Sequence, residues 1–196
     1  MRMMRAMGFA MGVALCVCGV APGQMHGAGG GTGEQAAQLP TSPNEMAKGP
    51  DADKAFLKKA MEANIAETQM AQLALAKSTD DQVRHFALQM QDDHAKMQDE
   101  LKQAAEQLNV PVPAEPSKGA AKSMEKMKAL SGDAFDQAYI KEMIKAHKED
   151  SKAFKDEARN TTSPQLKEMM TRDDQTIESH LQAIQQISQS KGKAKG

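Results

Sequence analysis

Four stretches of the chain each carry an apolar seam at helical spacing, and each seam holds a Glu or a His toward its middle. The first reads Phe56, Ala60, Ala63, Glu67, Met70, Ala74. The second is the cleanest: Val83, Ala87, Met90, His94, Met97, Leu101, Ala104, Leu108. The third reads Ile140, Ile144, His147, Ser151, Phe154, Ala158, flanked by Tyr139, Met143 and Asp150. The fourth reads Leu166, Met170, Asp173, Ile177, His180, Ile184, Ile187. A seam is the face a helix buries against its neighbours. An acid or an imidazole there is costly unless it finds a partner, a proton or a metal. One such residue on each of four helices predicts a single polar layer, Glu67/His94/His147/His180, inside a helical bundle.

Composition agrees with an all-α chain. Aromatic residues are 3% of the 196, with no Trp and one Tyr, which is poor in strand formers. Ala, Lys, Gln, Glu, Met and Leu dominate, and all favour helix. Charges of both signs are interspersed, so no nucleic-acid footprint is expected. The sequence carries no nucleotide loop, Ser/His/Asp arrangement, nucleophile elbow or Cys cluster, and it assigns no catalytic residue.

The N-terminal segment is expected to be an address rather than part of the core. Arg2 and Arg5 precede an apolar, uncharged run from Ala6 to Ala21, the length of a signal-peptide core and short for a membrane span. Ala21 and Gly23 offer small residues for cleavage, so residues 1–23 read as a signal peptide; an uncleaved leader would be the one membrane contact. Cys16 and Cys18 both fall in it, leaving an exported domain without disulfides. Loss of Arg2 and Arg5 leaves 23 basic against 26 acidic residues, a net charge of −3. Residues 24–50, with Gly29, Gly30, Gly31, Pro40, Pro43 and Pro50, read as a disordered tether.

Residues 51–188 then form the domain. Helix one starts after Pro50 with Asp51 or Asp53 as N-cap and runs to about Lys77. Asp80, with Ser78 and Thr79, caps helix two, which Asn109, Pro111 and Pro113 end. A short amphipathic helix over about 117–130 buries Met124, Met127 and Leu130. Helix three runs to about Asn160. Ser163 and Pro164 open helix four, which runs to about Ser188. Residues 189–196, with Lys191, Lys193 and Lys195, read as a basic disordered, solvated tail. Two tight hairpins joined by one long connection is a four-helix bundle pattern, and a crossing connection is the one ferritin-like bundles use. At 1.5 Å rise per residue, a crossing connection puts all four polar residues within about one and a half turns.

Three imidazoles and a carboxylate suit a transition metal such as Fe, Mn, Zn or Cu. Asp93, Asp150, Asp173 and Tyr139 are nearby candidates for ligands or for groups that orient them. Di-iron bundles place a Glu three residues before each ligating His. Here those positions hold Gln91, Ile144 and Ile177, which argues against ferroxidase chemistry or iron storage. The competing reading is a metal-free, hydrogen-bonded layer that sets helix register. Met61, Met70, Met90, Met97, Met124, Met127, Met143, Met169 and Met170, with Met25-His26 in the tether, raise a copper role, although Met on a seam is ordinary core filling. His85 is expected at the surface, as are Glu149, Asp156 and Glu157 among their lysines.

These residues resemble the exported bacterial family called domain of unknown function 4142, often labelled predicted outer membrane proteins. The resemblance covers about Asp51 to Ile187. It rests on Asp53-Lys54-Ala55-Phe56-Leu57, Ala66-Glu67, Phe86-Ala87-Leu88-Gln89-Met90, Asp92-Asp93-His94, His147, His180-Leu181 and above all the run from Leu130 to Tyr139. It implies a ferritin-like fold and a place in the cell envelope but no activity; it is the Glu67/His94/His147/His180 layer that suggests a metal-holding protein in metal handling or envelope stress. The family usually has Asp-His on its third long helix, where this chain has Ala146-His147; Glu142 or Asp150 would substitute.

Overall fold

Pro50 and Pro164 each open a helix, as a residue lacking an N–H does best at a helix's first position. The computed structural model describes residues 49–193, so the expected signal peptide and the expected tether lie outside the described residues except for Gly49 and Pro50, which cap and open a helix instead. These form α1 (Pro50–Lys77), α2 (Asp81–Gln107), α3 (Lys118–Lys128), α4 (Gly132–Asn160) and α5 (Pro164–Lys193), with no strand among them. No helix of the described residues is long and apolar enough to cross a membrane.

The helix ends follow from local chemistry. Gly49, not Asp51 or Asp53, is the N-cap of α1, because Pro50 takes the first helical position; Asp51 and Asp53 sit in the first turn, where the helix dipole favours acids. Asp80 Oδ1 accepts from the Gln82 and Val83 amides at 2.9 and 3.0 Å. At the end of α2 the amide of Asn109 bonds Glu106 O and that of Val110 bonds Ala105 O, a Schellman closure that needs the left-handed φ of 54° at Asn109. Ser117 caps α3 and Ser163 caps α5 through their hydroxyls.

The four long helices pack in a ring, α1 against α2 and α4, and α5 against α2 and α4. Phe56 at the start of α1 meets Phe154 near the end of α4, with ring centroids 5.0 Å apart. At the other end Lys77 Nζ donates to the carbonyls of Lys128 and Leu130, just before α4 begins. α1 and α4 are therefore antiparallel, and the connection from α2 to α4 travels the length of the domain. α3 lies within that connection and packs on α1 and α4 through buried Met124 and Met127. Leu130 is half-buried.

The core divides into two apolar clusters. One holds Met70, Val83, Phe86, Met90, Tyr139, Met143 and Ile184. The other holds Leu57, Met61, Met97, Leu101, Phe154, Met170 and Ile177. Each polar seam residue falls between them, as His94 does between Met90 and Met97. Fully burying such a side chain stabilises by roughly 1.5–3 kcal/mol, so the clusters supply the driving force around the polar layer. All nine methionines of the domain named above are buried, as core filling. The α1 stripe is rotated from the expected seam: Leu57, Met61 and Asn64 are buried, while Phe56 and Ala63 are only half-buried. Ile144 is likewise half-buried, and His85 is exposed as expected.

Two charged residues depart from expectation. Glu157, read as part of a solvated face, is buried. Lys191 is not in a solvated tail, because α5 continues to Lys193. Its ammonium lies 2.9 Å from Asp80 and 3.0 Å from buried Asp136, joining the tips of α2, α4 and α5. Lys191→Met is expected to destabilise the domain by about 2–4 kcal/mol in a denaturant titration, since it strands the Asp136 carboxylate. A loss below about 0.5 kcal/mol would mark the pair as an ordinary surface one.

Candidate metal centre

Three imidazoles converge from three helices. His94 of α2, His147 of α4 and His180 of α5 are each at most 1% exposed. One ring nitrogen of each lies within 4.8 Å of those of the other two. Their ring centroids are 5.5–6.0 Å apart, and Phe86 covers His147 and His180 from the first apolar cluster. Glu67 of α1 joins the layer but not the convergent set. Its Oε1 is 3.3 Å from His147 Nδ1 and its Oε2 is 3.6 Å from His94 Nδ1, so it lines the edges of two rings.

Each ring is held by a hydrogen bond that dictates its tautomer. Asn64 Nδ2 donates to the His94 carbonyl at 3.0 Å and to Gln98 Oε1 at 2.8 Å, so its Oδ1 must accept from His94 Nδ1, 2.8 Å away. His147 Nδ1 is 2.9 Å from the Met143 carbonyl, which can only accept. His180 Nε2 is 3.1 Å from Asp93 Oδ2. Burial alone would raise the Asp93 pKa, but hydrogen bonds from Lys96 and His180 outweigh it and hold the group below its ordinary value, as an anion that accepts. The protons therefore sit on His94 Nδ1, His147 Nδ1 and His180 Nε2. The remaining nitrogens, His94 Nε2, His147 Nε2 and His180 Nδ1, are buried and have no hydrogen-bond partner. Each of the three clustered rings thus keeps one bare, buried lone pair.

Sequence reasoning missed Asn64, which lies one turn before Glu67 on the same α1 stripe. Spacing gives the signal, because i and i+3 share a helix face. Asp93 was foreseen, and its position is instructive: His94 turns into the core while Asp93, one residue earlier, reaches sideways to α5. Asp150 is close enough to Glu67 to feel its charge. Tyr139 is buried with its hydroxyl unbonded, and burial and then the Glu67 charge push its pKa up. Asp173 is set among Glu100 and Arg172 and lies outside the convergent set. The Met143 carbonyl accepts from His147 Nδ1 and orients that ring, with Glu67 Oε1 3.3 Å from the same nitrogen.

The donors fit a metal ion. Neutral imidazoles with the second nitrogen hydrogen-bonded are what transition-metal sites use. Burial lowers the His147 pKa to about 4. Burial first, then the neighbouring imidazoles, put His94 well below its ordinary value. Burial lowers His180 as well, partly offset by Asp93. All three are neutral at pH 7 and present lone pairs. Three nitrogens about 2.0 Å from one ion stand about 3.4 Å apart, so the triad must draw in by up to about 1.4 Å.

The family described as Domain of unknown function (DUF4142) matches residues 36–187. The chain belongs to that family. Solved structures of CopM resemble this member. The Cu(II)-bound form is 20% identical with a TM-score of 0.61, covering 70% of this chain and 96% of CopM. The Ag-bound form obtained by soaking is 18% identical with a TM-score of 0.60, covering 74% and 98%. The apo form is 19% identical with a TM-score of 0.58, covering 70% and 96%. At these identities the likeness establishes shared fold. No protein of curated function matches the chain.

The layer sets a pH signature for the metal-free protein. Burial raises Glu67 from 4.5 to about 8, and burial followed by the Glu67 and Glu149 charges raises Asp150 from 3.8 to about 8. Between pH 6.5 and 8 the folded state keeps protons that the unfolded chain has lost, so stability falls as pH rises. The histidines, depressed in the fold, are about half protonated at pH 6.5 in the unfolded chain, so they oppose this slope at the lower end of the window and drop out above about pH 7.5. Each retained proton contributes a slope of about 1.4 kcal/mol per pH unit. Glu67→Gln is expected to flatten this limb in denaturant titrations at pH 6.5, 7.25 and 8. An unchanged slope would mean that Glu67 ionises freely in the fold.

Proposed function

We propose that this protein is an exported cell-envelope protein of ferritin-like four-helix-bundle fold, whose His94/His147/His180 centre binds one transition-metal ion in metal handling. The observation that carries the reading is the set of three buried, unpartnered ring nitrogens, each left bare by a hydrogen bond on the ring's other side. The crossing connection supports the ferritin-like topology. Glu67, beside two of the rings, would give up its retained proton to an incoming cation and then supply the negative charge that three neutral imidazoles lack. Among Fe, Mn, Zn and Cu the donor set favours Cu(II), which binds nitrogen ligands most tightly in the divalent series. The similarity to CopM, solved with Cu(II) and with Ag, supports the same choice. Metal analysis and calorimetry on protein purified without a His-tag are expected to give one Cu(II) per chain. His147→Leu or His180→Leu should abolish it, and Asn64→Leu should weaken it roughly 10–100-fold by releasing the His94 ring.

A second reading is a non-enzymatic structural or partner-binding bundle with a metal-free polar core. The hydrogen bonds that the rings donate to Asn64 Oδ1, the Met143 carbonyl and Asp93 favour it, because they hold all three rings without an ion. On this reading no stoichiometric metal is found, and Cu, Zn, Mn and Fe leave the melting temperature unmoved. His94→Leu then costs little stability or adds some if the layer is dispensable for packing, whereas a large loss, with Asn64 Oδ1 left without its donor, marks the layer as a cooperative network.

A further inference from the structure

A centre closed on every side needs a route for its ion, and the cavities around Glu67 outline one. A groove of about 540 Å³ runs between α1, α3 and α4. Five carboxylate side chains line it against two lysines, Lys59 and Lys145. Its α3 wall is built of small residues, Ser117, Gly119, Ala120 and Ser123, which leave the space open. Next to it lies a small cleft of about 10 Å³, about the volume one water centre needs, lined by His94 and Asn64. Ala63, Glu67 and Asp150 line both spaces and so form the partition between them. Glu67 is 4% exposed, and its Oε1 has no hydrogen-bond partner, since the nearest N–H, that of His147 Nδ1, is bonded to Met143 O. On the opposite face, the groove between α2 and α5 is lined by none of the four layer residues.

We propose that the α1–α3–α4 groove is the path by which a cation reaches the histidine centre, passing Asp150 at the partition and then Glu67. This rests on the metal-binding reading above and adds the direction of access. Glu62, Glu142 and Glu149 outnumber Lys59 and Lys145 at the mouth and concentrate cations there, an effect that falls with ionic strength. Asp150 and Glu67 offer oxygen ligands in sequence to an ion shedding its water. Ala63, with only a methyl group, leaves the partition narrow but passable.

The test is stopped-flow uptake of Cu(II) by the metal-free full chain, with equilibrium affinity measured alongside. Ala63→Leu fills the partition, and Ser123→Leu narrows the mouth from the α3 side without touching any layer residue. Both are expected to slow association and dissociation together by about tenfold or more, leaving the affinity within about twofold. Glu149→Gln at the exposed rim should slow association at low salt only. Unchanged rates in both leucine variants, with their helical content intact, overturn the route. So does slower uptake in a variant that blocks the α2–α5 groove, such as Ala183→Leu, with none in Ser123→Leu. If the wild-type chain takes up no Cu(II), the metal reading itself falls and takes the route with it; a wild type that binds Cu(II) with rates indifferent to the groove loses the route alone.

Discussion

One hydrogen bond per imidazole decides the character of this core. A buried histidine with a free choice of tautomer would relax onto whatever acceptor lay nearest. Here Asn64, the Met143 carbonyl and Asp93 each bind one nitrogen and so fix where the proton is not. The three bare nitrogens left over are the costly part of the arrangement, because buried acceptors without donors forfeit their hydration. Their cost is tolerated because apolar clusters above and below the layer supply the folding drive. The result is a neutral, buried cluster of three imidazoles beside Glu67.

The fold brings these parts together through its connection. A direct turn from α2 into α4 would reverse α4 and change the register of His147. The connection instead climbs the length of the domain, with α3 as a stay along α1 and α4, and Lys77 holds its upper end through two carbonyls. Phe56–Phe154 at one end and Lys191 with Asp80 and Asp136 at the other tie the ends of the ring. The layer lies midway, where helix fraying is least felt.

Much of this was legible in the sequence because helical periodicity is a strong signal. The five helices end close to where the caps and prolines put them, and all four ionisable seam residues are buried in one layer. What escaped has physical reasons. On α1 two apolar stripes lie side by side, Phe56/Ala63 and Leu57/Met61, and only packing tells which faces inward. Asn64 is a polar residue on that second stripe and so was passed over. Glu67 and the histidines share a layer, but whether a carboxylate faces the ring nitrogens or the ring edges depends on side-chain rotamers that spacing does not contain. Lys191 and Glu157 sit in runs of mixed charge, where burial is decided by what the neighbouring helix presents.

The direct measurement is the tautomeric state of the three imidazoles by long-range nitrogen–proton NMR of the metal-free protein. His94 and His147 should carry their proton on Nδ1 and His180 on Nε2, all three neutral at pH 7. One equivalent of Zn(II) should then move the three unprotonated nitrogens together. Protons on His94 Nε2 or His147 Nε2, a charged imidazolium among the three, or resonances indifferent to the metal would contradict the account.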